Sequence, residues 1–115
     1  MELLKKYVKL SSRVALYVPG TFDINKISNN AAWVSTVSKS FSQMFGGATV
    51  TAAAGYWEDI QAGMISENVT IVYAYTDTET LKTEIHKVLQ LAKTMKDELK
   101  QTAISLEVNG SLYFI

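Results

Sequence analysis

The sequence predicts an α+β fold in which two helices cover one face of an antiparallel sheet. Three observations predict it. Short β-branched runs alternate with two segments of helical apolar period. The order of these segments is β-α-β-β-α-β with one further strand at the C-terminus. Each helical segment has a single apolar stripe, so each has one side to bury. The chain has 115 residues, 48% of them hydrophobic. That is the size and composition of one folded domain, 1–115, with an N-terminal segment, 1–11, ahead of a core, 12–115.

Arg13–Val18 (RVALYV) reads as the first strand, with Val14, Leu16 and Val18 on one face. Pro19-Gly20 stops it, and the polar stretch Thr21–Asn29 reads as a loop. Asn29 or Asn30 can cap a helix in which Trp33, Val37, Phe41 and Phe45 recur every four residues, beside Val34 and Met44. Gly46-Gly47 ends it, because glycine tolerates the left-handed conformation of a helix C-terminus.

Ala48–Trp57 is a second strand made largely of small residues, and Glu58–Asn68 reads as a long polar hairpin loop containing Gly63. Val69–Tyr75 (VTIVYAY) is the clearest strand signal in the chain. Thr76 and Glu79 fit a capping box for a helix from about Thr78 to Lys100. Its buried stripe is Leu81, Ile85, Val88, Ala92, Met95 and Leu99. Ala103–Val108 and Ser111–Ile115 are the last two strands, joined by Asn109-Gly110, a dipeptide that tolerates the positive φ of a type I′ turn. Two right-handed crossovers sharing one antiparallel sheet give a ferredoxin-like sandwich. Its first and third strands are then central, and the last strand is an edge beside the fourth.

Composition removes several function classes. There is no Cys, hence no thiol nucleophile, disulfide framework or Cys-based zinc site. A single His rules out chemistry that needs two imidazoles from one chain. Eleven basic and eleven acidic residues leave no net field to gather nucleic acid or anionic lipid. No apolar run approaches the roughly 20 residues of a membrane span, and Met1–Leu10 lacks a signal-peptide pattern, so a cytoplasmic protein is expected. The sequons at Asn68 and Asn109 are then chance matches.

The segments ALYVPGTFDIN, FGGATVTAAAGYW, ENVTIVYAYT and SLEVNGSLYFI resemble a small uncharacterised family from plasmids, phages and integrative elements of Gram-positive bacteria. The resemblance spans Arg13 to Ile115. It implies an accessory protein of a mobile element and assigns no catalytic residues.

Candidate sites are few, and each has a purely structural reading beside the functional one. His86 is the one neutral-pH acid/base, on the face of its helix away from the apolar stripe. Glu58, Asp59 and Glu67 offer oxygen ligands to a hard cation but lack calcium-loop spacing, so no metal is expected. Gly46-Gly47 follows a helix and therefore is not a phosphate cradle. Tyr17, Tyr73 and Tyr75 lie on the central strands, where RNA-recognition sheets carry stacking aromatics, and Trp57 lies on the strand before. Lys82, Lys93, Lys96 and Lys100 form an edge of the long helix that could meet phosphates. Alternation leaves open which sheet face Tyr73 and Tyr75 occupy.

Two low-charge surfaces suit a protein partner. One is the Ser/Thr-rich side of the first helix, with Ser35, Ser38 and Ser42. The other is the edge strand with Leu112, Tyr113 and Phe114, which invites strand pairing or a homodimer. Met1–Leu10 places Leu3, Leu4, Tyr7 and Leu10 near one side of an amphipathic turn that would meet a membrane surface, a partner or its own domain. The expectation from these readings is a non-enzymatic protein acting through protein contact, without cofactor. Inhibition of a host defence system is one concrete form. The alternatives are a nucleic-acid-binding module built on the sheet aromatics, and a small enzyme with a cleft shared between two copies.

Overall fold

The computed structural model describes residues 1–20 and 30–115. The loop expected over Thr21–Asn29, and Asn29 as a cap, lie outside them. A 3₁₀ turn (Glu2–Leu4) precedes β1 (Ser12–Pro19), α1 (Ala31–Phe45), β2 (Thr49–Asp59), β3 (Gly63–Thr76), α2 (Thr78–Glu98), β4 (Ser105–Val108) and β5 (Ser111–Phe114). The sheet order is β2-β3-β1-β4-β5, with every neighbouring pair antiparallel. This is the expected ferredoxin-like arrangement with its additional edge strand.

Alternation on the two central strands sets the layers. Val14, Leu16 and Val18 of β1 and Val72 and Ala74 of β3 point to one face. There they pack with Val37 and Phe41 of α1, Leu81, Val88, Ala92 and Met95 of α2, and Ile104 and Leu106 near the C-terminus. Both helices therefore bury their stripes on the same side of the sheet. Phe41 is fully buried and meets Phe45 edge-on, with ring centroids 5.4 Å apart. The opposite face of the sheet carries no element among the described residues.

Three local expectations are corrected. Glu58–Asn68 is not a long loop. β2 and β3 pair without a break from Thr49↔Tyr73 to Asp59↔Gly63, and only residues 60–62 turn. The Asp59 carboxylate closes that turn by accepting the backbone N–H groups of Gln61 (2.8 Å) and Ala62 (2.9 Å). Thr76 does not cap α2, because it is the buried last residue of β3, opposite Ser12. Asp77 caps instead, accepting from Thr80 N–H at 2.8 Å and Thr80 Oγ1 at 2.8 Å. Met1–Leu10 forms only the 3₁₀ turn, with every residue exposed, so it builds no amphipathic helix, and only Leu10 at its end borders the domain.

Asn30 stands at the N-cap of α1, but its side-chain amide donates to Thr70 Oγ1 (3.2 Å) and its oxygen accepts no N–H of the helix. At the other end of that helix Gly46 takes φ 88°. Helix α2 stops two residues before Lys100, which takes φ 53°.

Candidate functional site on the open sheet face

Strand parity settles the faces. Arg13, Ala15, Tyr17 and Pro19 of β1 lie on the uncovered side, opposite Tyr75, Tyr73, Ile71 and Val69 of β3. Glu67 continues that row of β3, and Thr51, Ala53, Gly55 and Trp57 of β2 extend it sideways. The open face is thus mostly aromatic, aliphatic and small.

At the Pro19 end this face is concave. A bowl of about 330 Å³ is lined by Tyr17, Ala53, Gly55, Glu67, Ile71 and Ser105, among others. That lies at the low end of the roughly 300–1,000 Å³ typical of small-molecule sites. Small residues make it hollow. Ala53 and Gly55 on one side and Ala103 on the other leave room that larger side chains would fill. Gly20 holds the rim, since its N–H donates to Asn68 O at 2.8 Å. Gly55 stands opposite Glu67 in the β2–β3 register, so no side chain from that position crowds the carboxylate. Glu67 is half-buried and has no hydrogen bond or ion pair among the described residues. An unpaired carboxylate in a mostly apolar bowl that an aromatic ring also lines suits an organic cation.

The other end of the face is already occupied by its own side chains. The Arg13 guanidinium lies 4.2 Å from the ring centroid of Tyr73 and 5.7 Å from that of Tyr75. It also pairs with Glu107 at 3.1 Å and reaches Tyr75 Oη at 3.5 Å. Burial opposes the charge on Arg13, but the hydrogen bonds to Tyr75 and Glu107 outweigh it and hold the guanidinium above its ordinary pKa. Tyr73 and Tyr75 also meet edge-on, with centroids 6.2 Å apart. These two rings are therefore partnered within the chain, while Tyr17 faces the bowl.

The remaining candidates do not converge. Lys82, Lys93 and Lys96 lie on α2 and Lys100 just beyond it, across the sheet from the tyrosines, so no single surface holds both sets. Trp57 is on the open face but beyond the end of β1, in the β2–β3 ribbon. Glu58 and Glu67 project from opposite faces of that ribbon, and Asp59 is engaged in its turn. No group of three His, Asp or Glu side chains among the described residues is placed to hold a metal ion. His86 is exposed on α2, which packs on the other side of the sheet. Ser42 Oγ donates to Ser38 O at 2.8 Å and so satisfies itself within α1, while Ser35 is exposed. Leu112, Tyr113 and Phe114 are exposed on the edge strand β5.

A larger groove of about 450 Å³ runs between α1 and α2, past Trp33, Gln43, Glu84, Lys87 and Gln90. Its carboxylate is not free. Lys87 Nζ stands 2.8 Å from Glu84 Oε2, an ionic approach outside hydrogen-bonding angles. The bowl thus presents the unpaired anion, and the groove does not.

No protein-family model and no curated protein matches the chain. Two solved structures do. Over almost its whole length the chain is similar to a phage SAM lyase. The structure of that enzyme in complex with S-methyl-5′-thioadenosine superposes with a TM-score of 0.68 at 15% identity, covering 97% of this chain and 94% of the other. A phage SAM lyase in the apo state gives 0.62 at 18% identity, covering 95% and 94%. At these identities the likeness establishes a common fold. It also overturns the expectation of a non-enzymatic binding protein, because the structures sharing this fold from end to end are those of an enzyme. Both neighbours are phage proteins, in keeping with the mobile-element origin suggested by the sequence. No helix among the described residues is long and apolar enough to cross a membrane.

The sequence offered Glu67 only as an oxygen ligand of a loop expected to hold no metal, and Tyr17 as a stacking ring, without joining them. The joining signal is weak: Gly55 and Glu67 become partners only once residues 58–68 are read as strand.

Proposed function

We propose that this chain is a small lyase of phage or mobile-element origin that splits S-adenosylmethionine in the open-face bowl. The end-to-end likeness to a phage SAM lyase carries the reading, and the unpaired Glu67 in the bowl that Tyr17 also lines supports the placement. The cytoplasm, where a metabolite of this kind is met, is the proposed location.

S-Adenosylmethionine is a sulfonium cation carrying methyl, adenosyl and aminocarboxypropyl groups. S-Methyl-5′-thioadenosine keeps the first two. The bond that breaks is therefore the one from sulfur to the aminocarboxypropyl carbon, and its electron pair returns to sulfur. The fragment balances either by losing a proton or by closing on its own carboxylate, and neither route adds water. Positive charge leaves the sulfur along this path. A carboxylate near the sulfonium is thus worth more in the substrate complex than in the transition state or product complex. Glu67 accordingly binds and orients the cation, and its attraction falls away once the neutral thioether has formed. Tyr17 supplies an aromatic face for the adenine or the cation, and Ser105 and Gln101 offer polar atoms at the rim.

A pair of charges at 4 Å is worth about 1 kcal/mol in water and about 4 at an effective dielectric of 20, and an open bowl sits toward the lower figure. Glu67→Gln should therefore weaken S-adenosylmethionine binding by roughly tenfold. It should leave binding of S-methyl-5′-thioadenosine within about twofold. Titration calorimetry with both ligands tests this, and equal losses for cation and thioether would remove Glu67 from the role.

A further inference from the structure

The two helices bury their stripes on the sheet without closing fully on each other. Each links two parallel strands, α1 from β1 to β2 and α2 from β3 to β4, so each runs against its own pair. Because β1 and β3 are antiparallel, α1 and α2 are antiparallel as well. The groove of about 450 Å³ between them therefore has two unlike ends. Trp33 of α1 and Thr94 of α2 lie toward one end, and Gln43 of α1 and Glu84 of α2 toward the other. On α2 the lining runs from Glu84 to Thr94, about 15 Å at 1.5 Å per residue.

The first end is aromatic. Trp33 packs against the core but is only half-buried, and it lines the groove. Gln90 stands one turn of α2 before Thr94, and its side-chain amide has no hydrogen bond within the chain. The second end is a carboxylate. The Glu84 side chain is 19% exposed, and its Oε2 is buried without accepting a hydrogen bond. Lys87 Nζ at 2.8 Å balances the charge but lies outside hydrogen-bonding angles. A carboxylate offers about four acceptor sites, and a buried acceptor without a donor is unfavourable. A ligand that donates to Glu84 is favoured accordingly.

These groups select a ligand class. Glu84 and Lys87 cancel, so the groove, unlike the bowl, has no net charge to draw in a sulfonium or a phosphate. An indole packs on a planar ring. A glutamine amide sets a donor beside an acceptor, which matches the N6 and N7 edge of adenine. A glutamate accepts from a ribose hydroxyl, as acidic side chains do in dinucleotide sites.

We propose that the groove between α1 and α2 is a second ligand site, for a neutral adenine ribonucleoside. The base lies against Trp33 and Gln90, and a ribose hydroxyl donates to Glu84. Groove and bowl lie on opposite sides of the sheet, so the site stands whether or not the bowl is catalytic. S-Methyl-5′-thioadenosine belongs to the same class, so the product of the proposed reaction is one natural occupant.

Trp33 reports on the groove directly. The chain has two Trp, so Trp57→Phe leaves Trp33 as the sole indole. In that background adenosine should quench Trp33 fluorescence saturably, with half-saturation below about 1 mM. 2′,3′-Dideoxyadenosine, which keeps the base and lacks both ring hydroxyls, should bind roughly tenfold more weakly, the loss of a hydrogen bond to a charged group. Glu84→Gln should weaken adenosine roughly tenfold while leaving the dideoxynucleoside within about twofold, the coupling expected of two partners in one bond. Unchanged circular dichroism would verify its fold. Ala53→Leu fills the bowl on the far side and should leave the titration unaltered. Absence of saturable quenching, equal affinity for the two nucleosides, a Glu84→Gln chain that binds adenosine as before, or a titration abolished by Ala53→Leu would each overturn the proposal.

Discussion

Gly20→Ala should destabilise the fold, and the structure indicates by how much. Gly20 is buried, and a Cβ built there would lie 2.6 Å from Asn68 O and 3.0 Å from both Asn68 C and Asn68 Cβ. The nearest of these atoms belong to the backbone of β3, and Asn68 O is the acceptor of Gly20's own N–H. No flexible side chain can swing away to relieve the clash. Restoring ordinary contact at about 3.4 Å requires the strands to part by about 0.8 Å, which strains or breaks that hydrogen bond. Overpacking of this kind costs about 1–3 kcal/mol, and a weakened hydrogen bond falls within the same range. About 2 kcal/mol in a domain of this size is a drop of roughly 8 °C in Tm. The control is Gly47→Ala, where nothing lies within 4 Å of the added methyl and no positive φ is required. Calorimetric melting of the wild type and both variants reads the difference. If Gly20→Ala melts within 1 °C of Gly47→Ala, the close approach of Gly20 to Asn68 at the rim of the bowl is wrong.

Further outcomes follow from the same contacts. Phe41→Ala empties a fully buried site and should cost about 3–5 kcal/mol in denaturant unfolding; a cost below about 1 would mean that α1 is not packed as described. Asp77→Ala should lower Tm by a few degrees, because the bonds from the Thr80 N–H and hydroxyl are lost. Those bonds hold the Asp77 carboxyl below its ordinary pKa, so its contribution is present above the unfolded value near 3.9 and disappears as pH falls through the lower folded value. The Tm gap between wild type and Asp77→Ala should then be constant from pH 7 to 5 and close below about pH 4; a gap that persists at pH 2 contradicts the cap. His86→Ala should leave turnover of S-adenosylmethionine unchanged within twofold, and a large loss would move the chemistry to the helix side of the sheet.

The layering of this fold was legible wherever burial was one-sided. Val14, Leu16 and Val18 alternate because one face of β1 meets helices, and Trp33 to Phe45 recur in fours because α1 meets the sheet. Where the half-buried face is polar the pattern vanishes. Residues 58–68 read as a loop because their half-buried face carries Asp59, Gly63 and Glu67 with Ile65 alone as a buried apolar residue, and only Gly63 and the Asp59 turn mark its true shape. At Thr76-Asp77 two competent caps are adjacent, and pairing of Thr76 with Ser12 decides between them. The face of Tyr73 and Tyr75 follows from Val72 and Ala74 facing the helices, which requires the strand register. The bowl was illegible for a different reason. Glycine, alanine, tyrosine and glutamate from four separate segments have no spacing signature, and the absence of charge pairing at Glu67 is a property of neighbours rather than of sequence.

The central claim is that this fold splits S-adenosylmethionine in the open-face bowl. Incubating the purified protein with S-adenosylmethionine and separating the products by chromatography tests it most directly. The account predicts that S-methyl-5′-thioadenosine accumulates as S-adenosylmethionine disappears, and more slowly with Glu67→Gln at limiting substrate. Recovery of intact S-adenosylmethionine after hours with micromolar wild-type protein would contradict it.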